Sequence, residues 1–211
     1  MAALLASPFA RLTKSACGDH FLGRQTGGKP CKVVLMVSLI LPMPRFEPAL
    51  LESLAACVPA VADGLIREAL VVTPSASSEL DAVIDAAGCH LVTASGAPWA
   101  LVREASAKAR SDWFFVLTPG LVPAGGWIAP CGDFLAEDDK SVIGLAPLQP
   151  KGSMPNRLRI FAENSLNPLR ANPALYGALM HRTALNSPRK SRRARLDMML
   201  ADRRRSTGSA A

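Results

Sequence analysis

Two short polar segments of this 211-residue chain stand where apolar runs end, and they are the first places where chemistry is possible. One is Thr73-Pro74-Ser75-Ala76-Ser77-Ser78, directly after Ala69-Leu70-Val71-Val72. Its hydroxyls can hydrogen-bond a phosphate or a sugar, and a helix N-terminus behind them attracts anions. The same residues suit a plain capped helix start, with Ser77 or Ser78 as cap and Glu79 and Asp81 in the first turn. That plainer reading is slightly favoured. The other segment is Thr118-Pro119-Gly120-Leu121, after Trp113-Phe114-Phe115-Val116-Leu117. Arg45 offers a cation in an earlier loop that follows Pro42, although an exposed arginine is more often only solvated. Glu47 reads as a helix-start acid rather than a general base. Trp99 suits stacking on a ring and packing under a lid equally well.

Other reactive side chains form no constellation. His20, His90 and His181 share no motif. The acidic run Glu137-Asp138-Asp139 reads as a solvated turn. The five cysteines, at 17, 31, 57, 89 and 131, are odd in number and contain no Cys-x-x-Cys pair. They are expected to be reduced, mostly buried thiols, and zinc is disfavoured.

The elements that must position these loops follow from hydrophobic patterning. Hydrophobic residues make up 49% of the chain and aromatics only 5%, so the core must be built from Ala, Leu, Val and Ile. Val33 to Leu41 is a nearly continuous apolar run, which implies a strand covered on both faces. Pro42 and Pro44 end it. Leu50, Leu51, Leu54 and Val58 then recur at helical spacing, with Pro59 expected to stop the helix. Strands are expected at 69–72, 90–93 and 113–117. A helix capped by Ser77 or Ser78 and ended by Gly88 is expected between the first two, and a helix opened by Pro98 before the third. This β-α-β-α-β-α-β order makes an α/β fold with a doubly wound, mostly parallel sheet. Such sheets bind ligands beyond the carboxyl ends of their strands, here loops 42–47, 73–78, 94–99 and 118–124. Further on, a helix over 128–136, a strand over 141–145 and a short last strand near 179–180 are expected, while 147–175 is poorly determined.

Charge divides the chain. Residues 1–35 carry five bases against Asp19, and residues 186–211 carry eight against Asp197 and Asp202. The middle is net acidic. The formal net charge of +7 therefore belongs to the ends. Three regions are expected: a loose basic leader at 1–31, the α/β domain at 32–185 and a basic tail at 186–211, helical or disordered. Arg189, Lys190, Arg192, Arg193 and Arg195 could dock on an anionic membrane surface, or simply solubilise. Without interleaved aromatics, specific nucleic-acid reading is disfavoured. The longest apolar run falls far short of the ~20 residues of a membrane span, so a cytoplasmic, at most membrane-peripheral, protein is expected.

From Met36 on, the sequence resembles bacterial family 2 glycosyltransferases of the GT-A fold. The resemblance rests on Met36-Val-Ser-Leu-Ile-Leu-Pro42-Met-Pro-Arg45, on Val61 to Val72, on Asp81 to Gly88 and on Ala109 to Leu117. It covers roughly 36–127, and 170–185 faintly. Because it begins at Met36, residues 1–35 read as an added leader or a start placed too early. It implies a nucleotide-sugar site at Pro42, Arg45, Thr73, Ser75, Ser77 and Thr118. The departures are equally specific. Relatives end the second strand in Asp-Gly-Gly-Ser-x-Asp, where this chain has Thr73 to Ser78. They end the fourth in an Asp-x-Asp type motif, often His-Pro-Asp-Thr, where this chain has Thr118-Pro119-Gly120-Leu121. The loop Gly96-Ala-Pro-Trp99-Ala100 lacks the family's arginine, and no acidic motif for a catalytic base follows Leu185. The resemblance thus implies a weak or inactive transferase with no catalytic residues and no cofactor, Mg²⁺ or Mn²⁺ being needed only if activity is retained. The alternative is a non-catalytic binding or scaffold protein using the old pocket or the basic tail.

Overall fold

A computed structural model describes residues 36–45, 47–150, 154–166 and 177–203. The expected leader, the first residues of the 33–41 strand and Arg204-Arg205 lie outside these. Strand β1 (Val37–Pro42) is buried along its whole length. Its peptide groups have no water to bond, so strands must flank it on both sides. It pairs in parallel with β2 (Ile66–Thr73) on one side and β4 (Trp113–Leu117) on the other. β3 (His90–Thr93) adds in parallel to β2.

Side chains alternate between the two faces of this sheet. Leu39, Leu41, Phe115 and Leu117 pack with helices α1 (Leu50–Ala62), α2 (Ser78–Ala87) and α4 (Ile128–Ala136). Ile40, Phe114 and Val116 pack with α3 (Pro98–Lys108) and α6 (Arg182–Asn186). The helices expected in this half are present. Ser77 caps α2, its Oγ accepting from the Leu80 N–H at 3.2 Å, and Gly88 ends it at φ 69°. α1 departs from expectation. It runs through Pro59 to Ala62, and its buried face is Leu50, Ser53, Leu54, Cys57, Ala60 and Val61, with Leu51 and Val58 exposed. A proline in the last turn forfeits one backbone bond, and burying Ala60 and Val61 outweighs it.

The second half completes the sheet with mixed direction. β7 (Gly177–His181) lies antiparallel between β4 and β6 (Val142–Leu145). β8 (Arg192–Arg195) adds in parallel to β6 as the edge. The seven-stranded order is β3-β2-β1-β4-β7-β6-β8. β5 (Leu121–Pro123) and β9 (Leu200–Asp202) form a separate antiparallel pair. Helix α5 (Met154–Leu166) occupies part of the stretch that sequence left undetermined.

Over its described residues, 186–203, the segment from Asn186 is not the helical or disordered stretch expected. Through β8 and β9 it is woven into the domain, because Leu196, Met198 and Leu200 are buried beneath its arginines. Two glycines make room for it. A Cβ on Gly144 would stand 2.7 Å from Leu196 Cδ2, and one on Gly177 would collide with Leu200 Cδ1. Gly144→Ala should therefore destabilise by about 1–3 kcal/mol. The check is a lower urea midpoint at unchanged slope; an unchanged midpoint would show that Leu196 does not seat there.

Cys57, Cys89 and Cys131 are free and buried. Burial pushes each thiol up from an ordinary value near 9 to about 12. Above pH 9 the unfolded chain releases these protons while the folded one keeps them. Stability should consequently be complete below pH 9 and fall as pH rises toward about 12. Denaturant titrations at pH 8, 9.5 and 10.5 (roughly one unit below and above the unfolded value) measure this slope.

Candidate functional site at the carboxyl rim of the sheet

The parallel registers gather the sequence-identified loops at one rim. Pro42 pairs with Val72, Thr73 with Thr93, and the Met43 N–H extends the ladder to the Val72 carbonyl at 2.7 Å. β4 runs parallel to β1, so Thr118 emerges beside the end of β1. Pro42, Thr73 and Thr118 thus share the rim, and Arg45 is exposed in the loop above it. Several candidate groups already have local work. Thr73 is buried, and its hydroxyl donates to the Ser75 carbonyl at 3.1 Å, tying down its own loop. Ser77 is spent on the α2 cap through its oxygen. Ser75 and Ser78 are exposed.

The segment at the end of β4 is the most tightly built part of the rim. The Leu121 N–H bonds the Thr118 carbonyl at 3.1 Å, closing a turn with Gly120 at φ 83°. Pro second and a left-handed glycine third is the pattern such a turn requires. Ser53, fully buried on α1, holds it from beneath. Its Oγ accepts from the Gly120 N–H at 2.8 Å and donates to the Leu121 carbonyl at 2.9 Å. From the other side the Arg203 N–H donates to the Gly120 carbonyl at 2.8 Å.

This donor set does not fit Mg²⁺ or Mn²⁺, which want carboxylate oxygens. Gly120 has no side chain, and its carbonyl is taken. The acid brought beside the turn is Asp202, half-buried and opposite Leu121 in the β5–β9 ladder. Among the described residues no group of three His, Cys, Asp or Glu side chains is placed to hold a metal. The run Glu137-Asp138-Asp139 is a turn before β6. Asp139 accepts the Ser141 hydroxyl at 2.6 Å and its N–H at 3.0 Å, and these bonds hold its carboxyl below the usual range. His181 is structural too. It caps α6 through Nδ1 and packs edge-on against Trp113.

Further along the rim, where β6 and β8 end and β7 begins, lies a cavity of about 300 Å³. Leu145, Pro147, Phe161, Asn164, Arg195 and Met199 line it. Asn164 anchors α5 there, accepting from the Leu148 N–H and donating to its carbonyl, both at 2.8 Å. Arg195, expected in a loose tail, is instead on the edge strand at this cavity, with Arg192 and Arg193 beside it. Arg189 and Lys190 are exposed in the preceding turn. The sequence reading missed Ser53, α5 and Asp202. Ser53 carried a signal, a hydroxyl on the apolar face of a helix. A second cavity, by α3 and α6, holds Arg182, whose guanidinium bonds Asp112 and the Ser106, Ala109 and Ser111 carbonyls. It lies by the start of β4, away from the rim.

The mixed sheet with helices on both faces, and loops gathered over the ends of β1, β2 and β4, is the GT-A fold of nucleotide-diphospho-sugar transferases. Glucosyl-3-phosphoglycerate synthase from Mycobacterium tuberculosis shares it. Its complex with Mn²⁺ and uridine-diphosphate-glucose matches with TM-score 0.58 and 14% identity, over 85% of this chain and 76% of that one. Its complex with phosphoglyceric acid matches with TM-score 0.54 and 16% identity, over 74% of this chain and 60% of that one. A mycobacterial protein matches with TM-score 0.57 and 15% identity, over 81% and 67%. This chain thus spans three-fifths of the length of one of these neighbours. No family model and no curated protein matches the sequence. Among the described residues no helix is long and apolar enough to cross a membrane.

Ser53 is the keystone of the β4 turn. Ser53→Ala leaves the Gly120 N–H buried without its partner and should cost about 1–3 kcal/mol. Urea unfolding tests this, and an undiminished midpoint would contradict the clamp.

Proposed function

We propose that this chain binds a nucleoside diphosphate sugar across the ends of β1, β2 and β4 without a divalent metal, and that metal-dependent sugar transfer is weak or lost. The observation that carries the reading is the Thr118–Leu121 turn. A glycine at φ 83° occupies it, clamped by Ser53 and Arg203, where the resembling family carries a metal-binding acid. The fold supports the binding half, since solved neighbours hold uridine-diphosphate-glucose and Mn²⁺. Exposed Ser75 would face the base and ribose, in a loop that the buried Thr73 hydroxyl holds in place beside the end of β1 at Pro42. Thr118 and the Arg45 guanidinium would meet the diphosphate. The exposed N-terminus of α2 would add favourable dipole charge. Without a cation of charge two, the leaving diphosphate would develop its charge unopposed, which is the physical reason for expecting slow transfer.

Calorimetric titration of UDP and UDP-glucose, with and without Mn²⁺, tests this. The expected outcome is saturable binding that Mn²⁺ changes by less than about tenfold, or about 1.4 kcal/mol. Binding that appears only with Mn²⁺ and is lost in Asp202→Asn would contradict the metal-free reading. No heat at about 1 mM ligand, a binding energy weaker than about 4 kcal/mol, would remove the nucleotide altogether.

A further inference from the structure

Helix α5 is attached to the domain by one side and carries its large apolar side chains on the other. Ile160 is its one buried residue, and Asn164 supplies the polar anchor. Met154, Leu158 and Phe161 are 65%, 62% and 70% exposed. At 3.6 residues per turn these three fall within about 60° of one another, and Ile160 points roughly 130° away. Ala162 and Leu166, also exposed, widen the stripe on one flank up to Arg159. Arg157 borders the other flank. Glu163 is the only acid on the helix, and it is tied to Arg159 at 3.7 Å.

Next to this stripe is the edge strand β8, which reads Arg-Arg-Ala-Arg. Phe161 and Arg195 line the same cavity, so the apolar stripe adjoins the Arg195 end of the basic strand. We propose that α5 and β8 together dock on an anionic phospholipid bilayer. Met154, Leu158 and Phe161 enter the acyl boundary, Arg157 and Arg159 lie at headgroup level, and Arg195, at the end of β8 beside the cavity, neutralises a phosphate. An apolar stripe edged by arginines is the arrangement of helices that lie in the membrane interface. Arginine-rich β8 also argues against a second copy as occupant, because charge on an edge strand opposes strand-to-strand pairing. The inference is independent of the nucleotide site. It moves the membrane contact expected of a loose tail to a formed surface.

The full chain is sedimented with phosphatidylcholine vesicles, with and without phosphatidylglycerol. Wild type should pellet with the anionic vesicles only, and less so as salt rises. The double variant Leu158→Gln, Phe161→Gln should weaken this binding roughly tenfold or more. Arg157→Gln with Arg195→Gln should erase the preference for anionic lipid. All these positions are exposed, so unchanged thermal melting certifies the variants. Phe161→Trp gives a second readout, a blue-shifted emission on anionic vesicles. No pelleting of wild type, binding indifferent to the Leu158 and Phe161 changes, or an unshifted Trp emission would overturn the proposal. So would a stripe that proves to hold two copies together without binding vesicles.

Discussion

Burial of β1, β2 and β4 on both faces is the constraint from which the architecture follows. An extended chain with no access to water must satisfy its peptide groups through neighbouring strands. Apolar side chains alternating to both faces then require a helical layer above and below. With the strands parallel, every β-to-α loop leaves from the same rim, so Pro42, Thr73 and Thr118 converge although they are far apart in sequence. The candidate site is a by-product of that solution.

The rim is finished by residues remote from it. Ser53 belongs to α1 and Arg203 follows β9, yet both hold the Gly120 peptide. The turn at the end of β4 is thereby locked in a left-handed conformation that glycine adopts freely and other residues do not. Glycine at this position is therefore matched by the local structure that holds it. The C-terminal segment does similar work along the second half of the sheet. Leu196 and Leu200 fill space left by Gly144 and Gly177, so residues that look like a charged appendage complete the core.

The first half of the fold was legible because each strand is a dense apolar run and each helix has chemical punctuation. Ser77 and Gly88 act as written, and β3, α3 and β4 fall where periodicity puts them. The second half was obscured for physical reasons. β8 is an edge strand whose side chains are mostly arginine, so its strand character lies in backbone pairing rather than apolar alternation. α5 buries only Ile160 and gives almost no amphipathic signal toward the core. Pro59 looked like a stop, but its cost is local while the burial on either side is larger. Of the candidate residues, Pro42, Thr73 and Thr118 were legible as strand ends. The Thr73 hydroxyl turns back onto its own loop at the Ser75 carbonyl, a local bond that competes with ligand use, whereas the partners of the Ser53 hydroxyl, Gly120 and Leu121, are set by tertiary packing.

Whether the proposed nucleotide-sugar rim works without a metal is decided at the Gly120 turn clamped by Ser53 and Arg203. The most direct measurement is a crystal soaked with uridine diphosphate and Mn²⁺, with anomalous scattering recorded for manganese. Metal-free binding would give nucleotide density over the ends of β1 and β2 and no manganese peak near Gly120. A manganese peak there, held by Asp202 or another carboxylate against the diphosphate, would contradict it.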